Sequence, residues 1–210
     1  MTIQHLPQKQ TQAPQFKLFD LYDASNIEVK DPALKPYMNV RSQLLVKSYG
    51  RRNTETLGVT RINVVERLAN RLAVPGHLGK KHKIITSWSS GKYNRNMRTV
   101  MEALQLIEQK TQRNPLQVFV TAIEKASPRD EITVIEHAGA RYPQAVDTSP
   151  IRRIHLAIRW FVWGAYSKSF GKKKKMAEAL ANEIMLAADS NQESYALSKK
   201  NEAEKQAVSA

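Results

Sequence analysis

The stretch that most restricts how this chain can fold runs from Ser149 to Tyr166, reading SPIRRIHLAIRWFVWGAY. Serine before proline marks a helix start: the serine is a favoured N-cap, and proline loses nothing at the first helical position. Placed at 100° per residue, Ile151, Ile154, Ile158, Phe161, Val162 and Ala165 fall on one apolar stripe. Such a stripe has to be buried against other elements, so the helix belongs to a packed core. Arg152, Arg159, Trp163 and Tyr166 fall opposite or beside the stripe, with Arg153 and Trp160 near them. No acid occurs from Ile151 to Lys175, and the segment ends in four consecutive lysines. A helix that packs on one face and carries unpaired arginines on the other points to an anionic partner.

The whole-chain charge supports the same direction. A net charge of +14 and a pI near 10.0 favour nucleic acid or an anionic membrane as partner. The charge is also uneven. Arg41 to Arg71 holds seven Lys/Arg against two acids, and His77 to Arg113 holds eight against two. From Met176 onwards the balance reverses, with three lysines against six acids. There is no cysteine, which excludes disulfides, thiolate metal sites and cysteine nucleophiles. Arg159 interrupts the best apolar run, so no transmembrane span and no membrane partner are expected. The first residues lack a signal-peptide core, and a cytoplasmic protein is expected.

Periodicity divides the chain. Residues 1–15, rich in Gln, Pro and Thr, read as a disordered tail. Residues 16–60 show no sustained helical period and read as an extended N-terminal arm with short strands. A helical domain follows over 61–190. Ile62, Val65, Leu68, Ala69 and Leu72 predict a helix over 61–73, stopped by Pro75-Gly76. His77 to Tyr93 is a long basic connection, and Met97 to Ile107 marks a second helix. Asn114-Pro115 starts a third, with Gln117 spaced for a capping box. The period then changes: ITVI from Ile132 to Ile135, a Gly139 turn and a second run to Asp147 predict a β-hairpin at about 131–147. Pro143 confines its second strand to an edge. The Ser149 helix is fourth, Met176 to Ala187 carries a fifth, and 191–210 reads as a C-terminal helix or tail. The expected fold is mainly α, a helical bundle body with one protruding β-hairpin and the extended arm.

Candidate RNA-binding residues follow from where basic charge meets loops and helix starts. Lys80, Lys81 and Lys83 lie in the long connection, and Lys92, Arg95 and Arg98 lead into the second helix, whose N-terminus adds positive potential. Trp88 and Tyr93 interleave with these cations. Arg152 and Arg153 have no acid at helical spacing within their own helix. Lys172, Lys173, Lys174 and Lys175 follow its end. If Arg152 and Arg153 both contact phosphate, replacing them flattens the salt dependence of RNA binding by roughly one to two units. Trp160 and Trp163 read as second-layer core against a neighbouring helix. Catalytic chemistry is not indicated. Asp147, Ser149 and His155 hold the letters of a hydrolase triad without a Gly-x-Ser-x-Gly elbow, and Ser149 is better explained as an N-cap. His77 and His82 are five apart and lack a completing ligand, so neither a metal nor another cofactor is expected. A helical DNA-binding protein is the competing reading, although the long basic connection does not give helix-turn-helix spacing.

An ordered series of motifs carries a family resemblance. NPLQVFVTAIE from Asn114 to Glu124, ASPRDE from Ala126, GARYPQAVD from Gly139, SPIRR from Ser149 and AIRW from Ala157 closely resemble the small-subunit ribosomal protein seven family. ALANEI from Ala179 and SYA from Ser194 continue the match. VPGHLGKKH from Val74, FKLF from Phe16 and IEVKDP from Ile27 look like its archaeal branch. The resemblance spans about residues 16–205. It implies a helical body with a protruding hairpin and a primary binder of the 3′ major domain of small-subunit rRNA. It further implies a place in the head among neighbouring ribosomal proteins, near the decoding region, the mRNA path and the exit-site tRNA. On the same ground Arg141, beside the hairpin turn, is a candidate RNA contact. The chain departs from the family's usual pattern at its Val-Ser-Ala ending and at Ile151.

Overall fold

The computed structural model describes residues 17–75, 77–78, 83–84 and 89–210. Among them are six α-helices: α1 (Val64–Ala73), α2 (Tyr93–Thr111), α3 (Pro115–Ala126), α4 (Pro150–Ser169), α5 (Met176–Ala188) and α6 (Tyr195–Ser209). Two antiparallel strand pairs accompany them, β1 (His77–Leu78) with β2 (Lys83–Ile84) and β3 (Asp130–His137) with β4 (Ala140–Asp147). The mainly α body with one long hairpin is therefore present as the sequence predicts.

The central element is α5, which packs against α2, α3 and α4. Its sequence explains the position. Ala177, Ala179, Ala181 and Ala187 are buried beside Leu180 and Ile184, and the small side chains let three neighbours approach closely. On α4, Ile154, Ile158, Phe161, Val162 and Ala165 are buried as the wheel requires, and Ala157 and Trp160 widen the buried face. The Phe161 ring meets Phe119 of α3 with centroids 6.5 Å apart and a tilt of 53°. Gly164 sits where α4, α5 and α6 converge. A Cβ there would lie 2.8 Å from the Tyr195 Cβ and 2.9 Å from the Glu183 Cδ, so only glycine fits.

Helix starts follow the sequence, with two corrections in how they are held. Asn114 caps α3 by accepting from the Leu116 N–H at 3.0 Å, but Gln117 forms no capping box. Its amide instead grips the arm, accepting from the Glu28 N–H at 2.9 Å and donating to the Glu28 carbonyl at 3.0 Å. Ser149 occupies the N-cap of α4 without a side-chain bond, so Pro150 and backbone geometry define that start. Helix α1 begins at Val64 rather than 61, because Gly58–Arg61 forms a 3-10 turn and Asn63 caps the helix through the Val65 N–H at 3.0 Å.

Among its described residues the N-terminal arm has no strand longer than the isolated bridges Leu18–Tyr22 and Asn39–Asn63, whereas the sequence predicts short strands. Several of its backbone N–H groups are satisfied by single side chains of the body. The Lys30 and Asp31 N–H groups donate to Glu124 at 2.6 and 3.1 Å, and the Ser48 N–H and hydroxyl donate to Glu66 at 2.8 Å each. Leu18, Tyr22, Leu34, Met38 and Val46 are buried in the same apolar cluster as the helices.

In the hairpin, Asp130 pairs with Asp147 at the base and His137 with Ala140 at the tip. Ala138 and Gly139 make the turn at φ 51° and 81°. Two successive left-handed residues match the strand twist, which is why a glycine stands there. The base is held by α6, which packs on both strands, and the Arg129 N–H donates to Glu204 of α6 at 3.1 Å. Towards the tip Val134, Ile135 and Tyr142 are exposed, so the outer half of the hairpin projects.

Candidate nucleic-acid interface

The fold brings two of the basic segments to one cleft. Gly171, at φ 68°, turns the chain out of α4, and Lys172 to Lys175 are all exposed beyond it. Lys92, Arg95 and Arg98 recur every three residues at the start of α2 and are likewise exposed. A cleft of about 420 Å³ places Arg95, Asn96 and Thr99 of α2 with Lys174, Tyr166 and Phe170. The Tyr166 and Phe170 rings stack at 5.2 Å, and Phe170 stays 69% exposed at the cleft edge. Cations beside an open aromatic face suit a phosphate and an unpaired base together. No acid pairs with Arg95, Arg98 or the four lysines among the described residues. Lys80 and Lys81 lie outside the described residues, and Lys83 stands on β2 opposite Leu78 in the backbone register.

Other predicted contacts have partners inside the protein. Arg152 forms a two-pronged ion pair with Glu131 of β3, its Nη2 at 2.8 Å from the carboxylate. The Glu131 hydrogen bonds raise the Arg152 pKa above its ordinary value. Arg141 lies across the hairpin from Glu136 at 3.4 Å and is 75% exposed, so that pair leaves it accessible. Arg153 is placed differently. Its side chain is only 9% exposed, and its Nη2 bonds Asp31 of the arm at 2.8 Å. The absence of an acid within α4 is real, but the hairpin and the arm supply the acids. Arg153 is thus a tie between arm and body rather than an open phosphate contact.

Burial raises the Asp31 pKa, but the Ala33 N–H and Arg153 outweigh it and leave the carboxyl below its usual 3.8. The pair's contribution is therefore present above about pH 4 and is lost as pH falls through the lowered folded value. Asp31→Asn, which strands the buried guanidinium, is expected to cost about 2–3 kcal/mol by chemical unfolding at pH 7. Arg153→Ala should likewise lower stability while leaving the salt dependence of RNA binding unchanged.

Trp160 is core, 7% exposed. Trp163 is half-buried, donates its indole N–H to the Pro75 carbonyl at 2.7 Å and lies under the Arg159 guanidinium at 5.7 Å. Sequence reasoning passed over a cluster formed there. Arg67 and Arg71 of α1 meet His155 and Arg159 of α4 in one cleft. Two arginines four apart on one helix face, opposite a helix without acids, were the available signal.

Among the described residues no hydrogen bond joins Asp147, Ser149 and His155, and no group of three His, Asp or Glu could hold a metal ion. No helix among the described residues is long and apolar enough to cross a membrane.

Comparison with known proteins identifies the family. The family described as Ribosomal protein S7p/S5e matches residues 33–210. The small ribosomal subunit protein uS7 of Nanoarchaeum equitans is 46% identical over 194 residues, covering 92% of this chain and 98% of that protein. The uS7 proteins of Thermoplasma volcanium and Methanococcus maripaludis strain C6 are 41% and 39% identical, covering 92% and 93% of this chain and 99% of each relative. With a helical body, a projecting hairpin and a family match over most of its length, the chain belongs to the ribosomal protein S7p/S5e family, and its relatives are of the archaeal type.

Proposed function

We propose that this chain is a structural constituent of the small ribosomal subunit that binds rRNA. It acts as a primary binder of the 3′ major domain, organising the head near the decoding region and the exit-site tRNA. The observation that carries the reading is the cleft where Arg95 of α2 and Lys174 of the lysine loop flank the open Tyr166–Phe170 stack. Family membership and the names of the relatives support it. The mechanism is electrostatic. Lysines and arginines neutralise backbone phosphates and release counterions, while the α4–α5 core fixes their spacing. Unpaired bases supply what specificity stacking allows. The projecting hairpin, with Arg141, Tyr142, Val134 and Ile135 open to solvent, suits contact with tRNA, mRNA or a neighbouring ribosomal protein. The ribosome is then its cellular location.

Competition at fixed salt between a 3′ major domain rRNA fragment and duplex DNA tests the proposal. The rRNA fragment is expected to win by at least about tenfold, the lower end of specific over non-specific binding being far larger still. Equal affinity for both would return the chain to a general polyanion binder, the helical DNA-binding reading included.

A further inference from the structure

We propose that the cleft between α1 and α4, lined by Arg67, Arg71, His155 and Arg159, is a built receptor for a single phosphate group of the RNA backbone. This rests on the rRNA-binding reading for the source of the phosphate, but not for the site itself.

Arg61, Arg141, Arg152 and Arg153 each have a carboxylate within hydrogen-bonding or ion-pair distance. Arg67, Arg71 and Arg159 have none among the described residues, although they share one cleft of about 340 Å³. Burial lowers the Arg67 pKa to about 10, and burial together with the Arg159 charge lowers that of Arg71. Three guanidiniums held together without an anion are a repulsive arrangement, and solvent relieves it only in part, because Arg71 and Arg159 are half-buried. Arg67 is 6% exposed. Its Nη1, the Arg71 Nε and the Arg159 Nε are all buried without an acceptor. A buried donor left unmatched is costly, and natural structures keep few of them.

The cations are nevertheless held in place. Arg67 donates Nε to the Ile62 carbonyl at 3.2 Å and Nη2 to the Tyr37 carbonyl at 2.8 Å. Arg71 donates Nη2 to the Pro75 carbonyl at 3.2 Å, the same carbonyl that accepts from Trp163, and Arg159 lies over the Trp163 ring. Carbonyls and a ring orient the guanidiniums without neutralising them. The structure has therefore fixed the position of positive charge and left the charge itself unmatched. A phosphate oxygen supplies both missing elements, acceptors for the idle donors and a counter-charge. Guanidinium geometry suits phosphate, and the Val59, Ile62 and Ile158 walls keep the local dielectric low.

His155 reports on occupancy. Part of its surface is exposed, but burial and then Arg67, Arg159 and Arg71 hold its pKa below the usual 6.5. An anion in the cleft reverses the electrostatic part of that shift. The experiment is a pH titration of the assigned His155 ring resonances by NMR, on the full chain in chloride, with and without inorganic phosphate. Phosphate is expected to raise the His155 midpoint by about one unit, and acetate at the same concentration to raise it far less. Arg71→Gln should raise the midpoint by itself and abolish the response to phosphate. Arg71→Lys, keeping the charge but not the fork, should leave a response several-fold weaker. In rRNA binding, Arg71→Gln and Arg159→Gln should each lower the salt slope by about one unit, with the double variant no lower than either, as expected for one shared phosphate. No midpoint change with phosphate, or an equal change with acetate, overturns the pocket even if the rRNA preference holds. A phosphate response in a chain that shows no rRNA preference overturns RNA as the source, and the proposed function with it.

Discussion

Replacing Glu183 with alanine is expected to remove about 3–5 kcal/mol of stability, the range for breaking a buried ionic network from one side. Glu183 is 0% exposed on α5. Its carboxylate receives the Lys168 ammonium of α4 at 2.7 Å, the Ser194 hydroxyl at 2.7 Å and the Ala196 N–H at 3.1 Å. One side chain thus joins three helices at the point where Gly164 lets them meet. Without it, Ser194 keeps its hydroxyl in a site with no exposure, and a first-turn N–H of α6 loses its acceptor. Lys168 is half-buried and can turn outwards, so the loss falls mainly on α6. Because α6 also packs on β3 and holds Arg129 through Glu204, the hairpin base should loosen with it. Thermal unfolding should show a Tm lower by on the order of 10 °C, and hydrogen exchange should quicken in α6 before α3. Glu183→Gln, which still accepts from Ser194 and Ala196, should lose less. A Tm within a degree or two of the parent for the alanine variant would show that the network contributes nothing net.

Replacing Lys172, Lys173, Lys174 and Lys175 with alanine should act on binding alone. If each lysine neutralises one phosphate, the slope of log affinity against log salt falls by about three units. The parent chain would then lose roughly 60-fold more affinity than the variant between 50 and 200 mM salt. The lysines are exposed and carry no ion pair among the described residues, so unfolding should change by less than about 0.5 kcal/mol. A variant that keeps the parent's slope would show the run to be solvated charge and leave Arg95 and the aromatic stack as the only supports of that cleft. The contrast with Arg153 sharpens the comparison. It bears the same charge, yet its replacement should move stability and not slope.

The local elements were legible because their causes are local. Apolar residues at helical spacing, Asn114-Pro115 and Ser149-Pro150 at helix starts, and Ala138-Gly139 after a β-branched run each fit within one window of sequence. Even the small errors are local: Gln117 had the spacing of a capping box, but Glu28 of the arm offered its amide two partners at once. The arm itself was only partly legible. Its polar contacts are isolated hydrogen bonds and ion pairs to α1, α3 and α4, and its buried apolar residues, Leu18, Tyr22, Leu34, Met38 and Val46, follow no helical or strand period.

The sequence by itself determined the helices, the hairpin, the family and the excess of positive charge. Only the tertiary structure decided what each cation does. Arg152 and Arg153 stand side by side, yet one reaches Glu131 and the other reaches Asp31. Arg67, Arg71 and Arg159 find no acid among the described residues. The reason is distance along the chain. Arg153 is 122 residues from its carboxylate, so no stretch of sequence near either residue contains the other. Charge is a property of the residue, whereas neutralisation depends on what folding brings within a few ångströms.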